Sequence, residues 1–503
     1  MLEQSAPGRR SSFIGMDALD QIRYSTVRSE ETRCGFCSNR CARTFIEVND
    51  GAGASLAETG SAPDGSDSSE HSRRIILANC ERGEATDVAA AREFNASLAA
   101  VKQQNPNIPA MAARAAFQPQ MVPGIASAPG GVAVLPSARR RTKQRKQRPA
   151  LRIGIPKVLN LYAYGPLFSA YFTSLGLPAE NIVFSDTTTP EQFRTTLGLA
   201  SVDPCFPSKV CISHVRNLLD KSVRRKLDFI FFPMIDMLTT MIEDCRGSNA
   251  CPAGAATPEA VQSAFSLSRN LFEEHNITYM HPVVNLADRE LLALQMFECW
   301  KETLGLDWQE NARAIEAAYT AQQSYEKELR QESRQLLDRL EREHQIGLVL
   351  LGRPYHHDPG LNQGILDSLQ QLGYPIFSQT YLPLDEDLLE RLFGAEVSQG
   401  LITSPLSVTD VWKISSSAGT NHKLWAAKFA ARHPNLIPVE LSNFKCGHDA
   451  FISRVIEQIT ECAGKPHFCF RDIDENKPAG ALRIRVETID YFLKQYRKQL
   501  AGN

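Results

Sequence analysis

The chain has 503 residues, too many for one hydrophobic core, which predicts at least two domains. Hydrophobic residues make up 43% and charged residues 22%, and the formal net charge is only −2, so nothing points to a nucleic-acid or membrane partner. No apolar run approaches the roughly 20 residues that span a bilayer, and residues 1–24 lack a signal peptide's apolar stretch, so the expectation is a cytoplasmic protein.

Twelve cysteines in a chain this long are too sparse for a secreted disulfide scaffold. In a reducing compartment, grouped cysteines bind metal or carry redox chemistry. Residues 22–88 read as a small cysteine-rich module, interrupted over residues 50–72 by a Gly/Ala/Ser/Asp-rich insert too poor in apolar residues to fold. Cys34, Cys37 and Cys41 stand as C-x2-C-x3-C, and Cys80 follows the apolar run 75–78. Four thiolates in so polar a setting suit tetrahedral zinc or a [4Fe–4S] cluster, and the spacing leaves both open. Residues 89–149 are rich in Ala, Pro, Gln and Gly. They end in the basic run Arg139, Arg140, Arg141, Lys143, Arg145, Lys146, Arg148, and read as a flexible solvated tether with one short helix.

Regular patterning begins at residue 150. Residues 151–159 (LRIGIPKVL), 181–186 (NIVFSD) and 227–235 (LDFIFFPMI) read as buried strands, with helical patterns at 166–175 and 212–227. This alternation predicts a parallel, doubly wound lobe over residues 150–306. Residues 307–345 contain no Pro or Gly, and Ala314, Ala318, Tyr325, Leu329, Leu336 and Leu340 fall on one helical face, which predicts a long connecting helix. A second lobe, residues 346–503, follows with strands at 346–351, 374–379 and 435–441, a helix at 362–372 and a closing amphipathic helix. The expected fold class is therefore α/β: two doubly wound parallel-sheet lobes joined by a long helix, behind the cysteine-rich module.

A second set of cysteines is dispersed: Cys205 in VDPCFPSK, Cys245 and Cys251 in DCRGSNACP, and Cys446 in NFKCGHD. Open α/β sheets bind ligands at the carboxyl ends of their strands. Cys251 and Cys446 follow strands and so belong on that rim. Three loop cysteines meeting between the lobes would hold a cluster with one iron free for a non-protein ligand; the other reading is three unrelated packed thiols. Cys299, Cys462 and Cys469 read as packed thiols. In the loop opening the second lobe, Arg353, Tyr355, His356 and Asn362 are candidate contacts for an anionic cofactor or substrate, alongside His357 and Asp358. The alternative is that Asp358 and Asn362 cap the next helix. Lys209 and Lys445 stand near Cys205 and Cys446 and can favour thiolates or an anion, whereas His214 and His448 read as structural.

The segments CGFCSNRCARTFIEV, VDPCFPSKVCISHV, NACPAGAATPE, GRPYHHDPGLNQGI, WAAKFAARHPNL, ELSNFKCGHDA and FRDIDENKPAGALRIRVETIDYFLK resemble the CoA enzyme activase and activator-related proteins of the 2-hydroxyacyl-CoA dehydratase system. The resemblance covers the chain from Arg33 onward except residues 50–72 and 89–149. It implies a [4Fe–4S] cluster on Cys205, Cys251 and Cys446, with Cys245 as a fourth ligand or neighbour, and Gln363 departs from it where His is expected. Similar longer chains carry ATPase domains in front of the Cys34 module. No G-x-x-x-x-G-K-[ST] phosphate loop occurs here, and the stretch before Cys34 is too short for such a domain, so the expectation is a separate ATPase activase as partner. The function implied is an oxygen-sensitive electron-transfer protein, able to form homo-oligomers, that passes low-potential electrons to an acyl-CoA or small-molecule acceptor. The alternative is a non-catalytic zinc-binding adaptor or regulator.

Overall fold

The computed structural model describes residues 22–34, 42–50, 72–78, 83, 85, 88–121, 136–199, 203–267, 269–413, 416–475 and 479–502. It divides into two compact units, residues 1–101 and 102–503.

In the first unit, β1 (Ile22–Val27), β2 (Thr44–Asp50) and β3 (Ser72–Leu77) form an antiparallel sheet in the order β1-β2-β3. Arg43 and Arg74 lie over the Phe45 ring at 4.9 and 5.3 Å. Cys34 is buried beyond the turn after β1, where the Thr32 hydroxyl donates to Arg43 O at 2.8 Å and Arg43 Nε donates to Thr32 O at 2.9 Å. Cys37, Cys41 and Cys80 lie outside the described residues.

Residues 89–149 differ from the expected tether: they carry α1 (Val88–Gln104), α2 (Ile108–Ala116) and α3 (Pro136–Gln147). Alanine, which makes up much of α1 and α2, loses no side-chain entropy in a helix. The end of the basic run is a structural element rather than a solvated charge patch. Arg148 is buried, bonding to Glu310 at 2.6 Å and to the carbonyls of Leu304 and Leu175 at 2.7 and 3.0 Å. Arg145 joins it, pairing with Asp307 at 2.6 Å.

The first lobe contains β4 (Ile153–Ile155), α4 (Leu161–Ser174), β5 (Ile182–Phe184), α5 (Phe206–Arg224), β6 (Phe229–Phe231), β7 (Met234–Met237), α6 (Pro252–Ser266), β8 (Thr278–Met280), β9 (Val283–Asn285) and α7 (Arg289–Leu304). Its sheet runs β5-β4-β6-β8, all parallel, and β7 pairs with β9 in a two-stranded extension. Pro233 separates β6 from β7, because proline cannot donate to a ladder. Then α8 (Trp308–Arg342), 35 residues long and so about 50 Å, leads into the second lobe.

That lobe contains β10 (Gly347–Leu351), α9 (Ile365–Gln371), β11 (Ile376–Ser378), α10 (Glu386–Ser398), α11 (Ala418–Arg432), β12 (Leu436–Asn443), α12 (Ser453–Cys462), β13 (Phe468–Ile473) and α13 (Ala479–Gly502). Its sheet is parallel in the order β11-β10-β12-β13. The expected fold class thus holds. Every residue of β10 and β12 is buried, because helices cover both faces of the sheet. No helix among the described residues is long and apolar enough to cross a membrane.

Candidate functional site

A cavity of about 290 Å³ opens between the lobes at the carboxyl ends of their strands. The chain reaches it from the head of α4 (Leu159, Asn160), the segment after β7 (Leu238 to Met241), the loop after β10 (Arg353 to Tyr355), the segment after β11 (Gln379 to Tyr381) and the head of α11 (Ala418, Gly419, His422). The middle of α8 adds Glu326 and Arg330. Leu159 has a φ of +47°, which costs a leucine energy and occurs mainly where surrounding structure enforces it.

Cys205, Cys251 and Cys446 all line this cavity, and all are free thiols. Each occupies the N-cap of a helix: Cys205 of α5, Cys251 of α6, and Cys446 of the short helix Gly447–Ala450. Sequence explains the arrangement locally. Pro207 and Pro252 sit in the first turn of their helices, where the missing N–H is not needed and the fixed φ starts the helix. The Cys251 loop is held against the other lobe by backbone bonds from Asn249 N to Ser416 O at 2.7 Å and from Ala418 N to Asn249 O at 3.1 Å.

Behind Cys446 lies a buried charge network. Asp449 pairs with Arg353 at 2.8 Å and Lys423 at 3.0 Å, Lys423 pairs with Glu440 at 3.1 Å, and Ser442 donates to Asp449 at 2.9 Å. Burial works against both carboxylates. Lys423 and Arg353 nevertheless hold Asp449 well below the usual range, and Lys423 with its neighbours holds Glu440 down to about 2. Burial pushes the Cys446 thiol up, Asp449 adds to this, and Arg353 opposes it. Arg353 has no room to leave: a Cβ placed on Gly419 would fall 1.9 Å from its Nη1.

Other expected residues are placed differently. Cys245 is not among the residues lining the cavity; Asn421 Nδ2 donates to its sulfur at 2.8 Å. Of the four residues proposed for an anionic ligand, Arg353 and Tyr355 face the cavity, while His356 and Asn362 serve the backbone. His356 Nδ1 accepts from Arg353 N at 3.0 Å, and Asn362 Nδ2 donates to His356 O at 3.0 Å. Asp358 does not cap the helix that follows it, whose N-cap is Gly364. It accepts from Tyr162 at 2.5 Å and from the Thr188 hydroxyl at 2.7 Å; that hydroxyl also bonds His214 at 2.8 Å, so the chain of bonds crosses from one lobe to the other. His214 is structural, as expected, held on its other nitrogen by Ser185 at 2.7 Å. Gln363, at φ +54°, donates to Asp474 O at 2.8 Å. Among the described residues no three His, Cys, Asp or Glu side chains stand close enough to share one metal ion.

Glu326, Arg330, Gln379 and His422 escaped sequence reasoning. They come from two helices and a short segment of strand exit, with no motif between them.

The two parallel α/β lobes enclose a cavity at their facing strand ends, the position where open α/β sheets take ligands. Residues 152–382, just under half of the chain, match the family described as the CoA enzyme activase uncharacterised domain. The resemblance drawn from the sequence holds over this stretch, which includes Cys205, Cys251 and Arg353; Cys446 lies beyond it. No curated protein matches the chain.

Proposed function

We propose that Cys205, Cys251 and Cys446 hold a [4Fe–4S] cluster. In this reading the chain is an electron-transfer protein of the 2-hydroxyacyl-CoA dehydratase and activase type. It takes low-potential electrons from a separate ATPase and passes them to an acyl-CoA or small-molecule acceptor. The observation that carries the reading is the convergence of three thiols, from three loops and two lobes, on one cavity. Three packed but unrelated thiols have no reason to meet at a ligand-binding rim, each at the positive end of a helix. The donor set also fits: sulfur is the ligand iron–sulfur clusters take, and these thiols are neither disulfide-bonded nor fully enclosed.

A cluster on three protein thiolates supplies single electrons and an iron open to a further ligand. This chain's own residues do the rest. The Arg353–Asp449–Lys423 network fixes the Cys446 loop, and Leu159, Leu238 and Leu384 keep the cavity walls apolar.

Iron and acid-labile sulfide in the anaerobically isolated full chain test the reading. Cys205→Ser, Cys251→Ser and Cys446→Ser are each expected to lose most of both, whereas Cys462→Ser, on the surface, retains them. Full iron and sulfide in all three site variants would overturn the assignment.

A further inference from the structure

Two opposite charges on α8 border the cavity and take no part in holding the thiols. Glu326 and Arg330 lie one helical turn apart, both line the cavity, and 26% and 27% of their side chains remain exposed. Arg334, a turn further along, shows what a fully bonded arginine looks like on this helix: it donates to Asp387 at 2.8 and 2.9 Å and to Asp338 at 2.9 Å. Arg353, in the same cavity, donates to Asp449 at 2.8 Å. Arg330 by contrast makes no hydrogen bond among the described residues. Its Nη1 meets Glu326 Oε2 only at 3.5 Å, beyond the roughly 2.7–3.2 Å of an N–H···O bond. Gln322 donates to the other Glu326 oxygen at 2.9 Å and holds that carboxylate in place.

Both charges act on the cavity wall. Burial raises the Tyr164 and Tyr381 hydroxyls, and the Glu326 carboxylate adds to both. Burial lowers His422 to about 4, and the Arg330 guanidinium adds to that. Tyr164, Tyr381 and His422 all line the cavity.

We infer that Glu326 and Arg330 form the head-group subsite for an α-amino acid with an apolar side chain, Arg330 taking the carboxylate and Glu326 the ammonium. This goes beyond the cluster assignment and does not rest on it. The planar fork of arginine matches a carboxylate in two parallel bonds, and a carboxylate accepts from an ammonium. A plain acid would bring its charge against Glu326, and a plain amine would bring its charge against Arg330, so either gains from one residue and loses to the other. A zwitterion gains from both. The charged groups of Glu326 and Arg330 stand 3.5 Å apart, which suits a ligand with both charges on one carbon rather than at the two ends of a chain. The apolar side chain follows from Leu159, Leu238 and Leu384, which line the same space. Its modest length follows from the cavity, which at about 290 Å³ lies at the small end of ligand pockets.

L-Norleucine, hexanoate and pentylamine are the probes: hexanoate lacks the amino group, pentylamine lacks the carboxylate, and all share the carbon chain. They are titrated calorimetrically into the full chain under anaerobic conditions, with iron content measured on the same samples. Norleucine is expected to bind at least about tenfold more tightly than either analogue. Arg330→Gln and Glu326→Gln should each weaken norleucine about tenfold, the worth of one hydrogen bond to a charged group, without lowering iron. Glu326→Gln should also tighten hexanoate, and Arg330→Gln should tighten pentylamine, opposite gains that a damaged fold does not give. Norleucine binding no tighter than that of the analogues, or unchanged in both variants, would overturn the subsite. Normal iron content with no norleucine binding would overturn the subsite alone and leave the cluster standing.

Discussion

Three histidines are buried in settings that keep them neutral: His214, His356 and His357, each depressed to about 3 chiefly by burial. The unfolded chain takes up protons at these positions below about pH 6.5, and the folded chain does not. Their contribution to stability is therefore complete above pH 6.5 and is lost as pH falls from there toward 3. Each such histidine steepens the loss by at most about 1.4 kcal/mol per pH unit. Denaturant melts at pH 7.5 and 5.5 should show a marked fall in stability, and His214→Gln should show a shallower one. Glu440 acts lower on the scale: held down to about 2, it contributes above its unfolded value and loses that contribution only as pH falls toward 2. At this scale the sequence was informative about cysteines and poor about their company. Cys205, Cys251 and Cys446 stood out because Pro, Gly and Asn surround them; Gln379 and His422 had nothing local to mark them, since their partner is a cavity assembled from remote segments.

Among the elements, close packing of α2 on α4 makes the sharpest demand. A Cβ on Gly165 would stand 2.2 Å from the Ala116 carbonyl oxygen, so the helices can approach only because that position is glycine. Gly165→Ala should cost about 1–3 kcal/mol by overpacking, seen as a lower denaturant midpoint, even though alanine is the better helix former. Arg148 makes a comparable demand through charge. Arg148→Ala leaves the buried Glu310 with only Arg145, at 3.2 Å, and strips the Leu304 and Leu175 carbonyls of their donor, so the denaturant midpoint should fall by an amount below the roughly 3–5 kcal/mol of a fully unpaired buried charge.

The core strands and α8 were legible because continuous apolar runs and a long helical stripe are local signals. Residues 89–149 were misread because composition alone suggested a tether: the basic run hides Arg148, whose role depends on an acid 162 positions away. The split between β6 and β7 was readable in Pro233 and was missed because the flanking run is uniformly apolar.

Across residues 102–503 the two cysteine-bearing loops of opposite lobes are tied at the surface. Asp203, two residues before Cys205, bonds Lys445, which precedes Cys446, and also Lys209, which pairs with Glu475 at 2.7 Å. Exposed pairs are weak one by one, so removing Asp203 should shift an opening equilibrium only modestly. Asp203→Asn should therefore speed alkylation of Cys205 and Cys446 by a neutral thiol reagent about two- to fivefold in the metal-free chain. Cys211, fully buried in α5, should label no faster, and mass spectrometry of the labelled peptides reads both rates.

Continuity of α8 bears on how such an opening can happen. Its first half is fastened to the first lobe by Tyr171 on Asn311 at 2.7 Å and by Gln322 on Ala163 O at 3.0 Å. The remainder is fastened to the second by Tyr325 on Tyr381 at 3.0 Å and by Arg334 on Asp387 at 2.8 Å. A rod clamped to both bodies works as a torsion shaft. The lobes can twist about it, sliding the Cys446 rim across the Cys205 and Cys251 rims, but they cannot pull apart along it. Any such twist would have to break the Asn249 backbone bonds to Ser416 and Ala418, while Glu326 and Arg330 ride on the shaft itself.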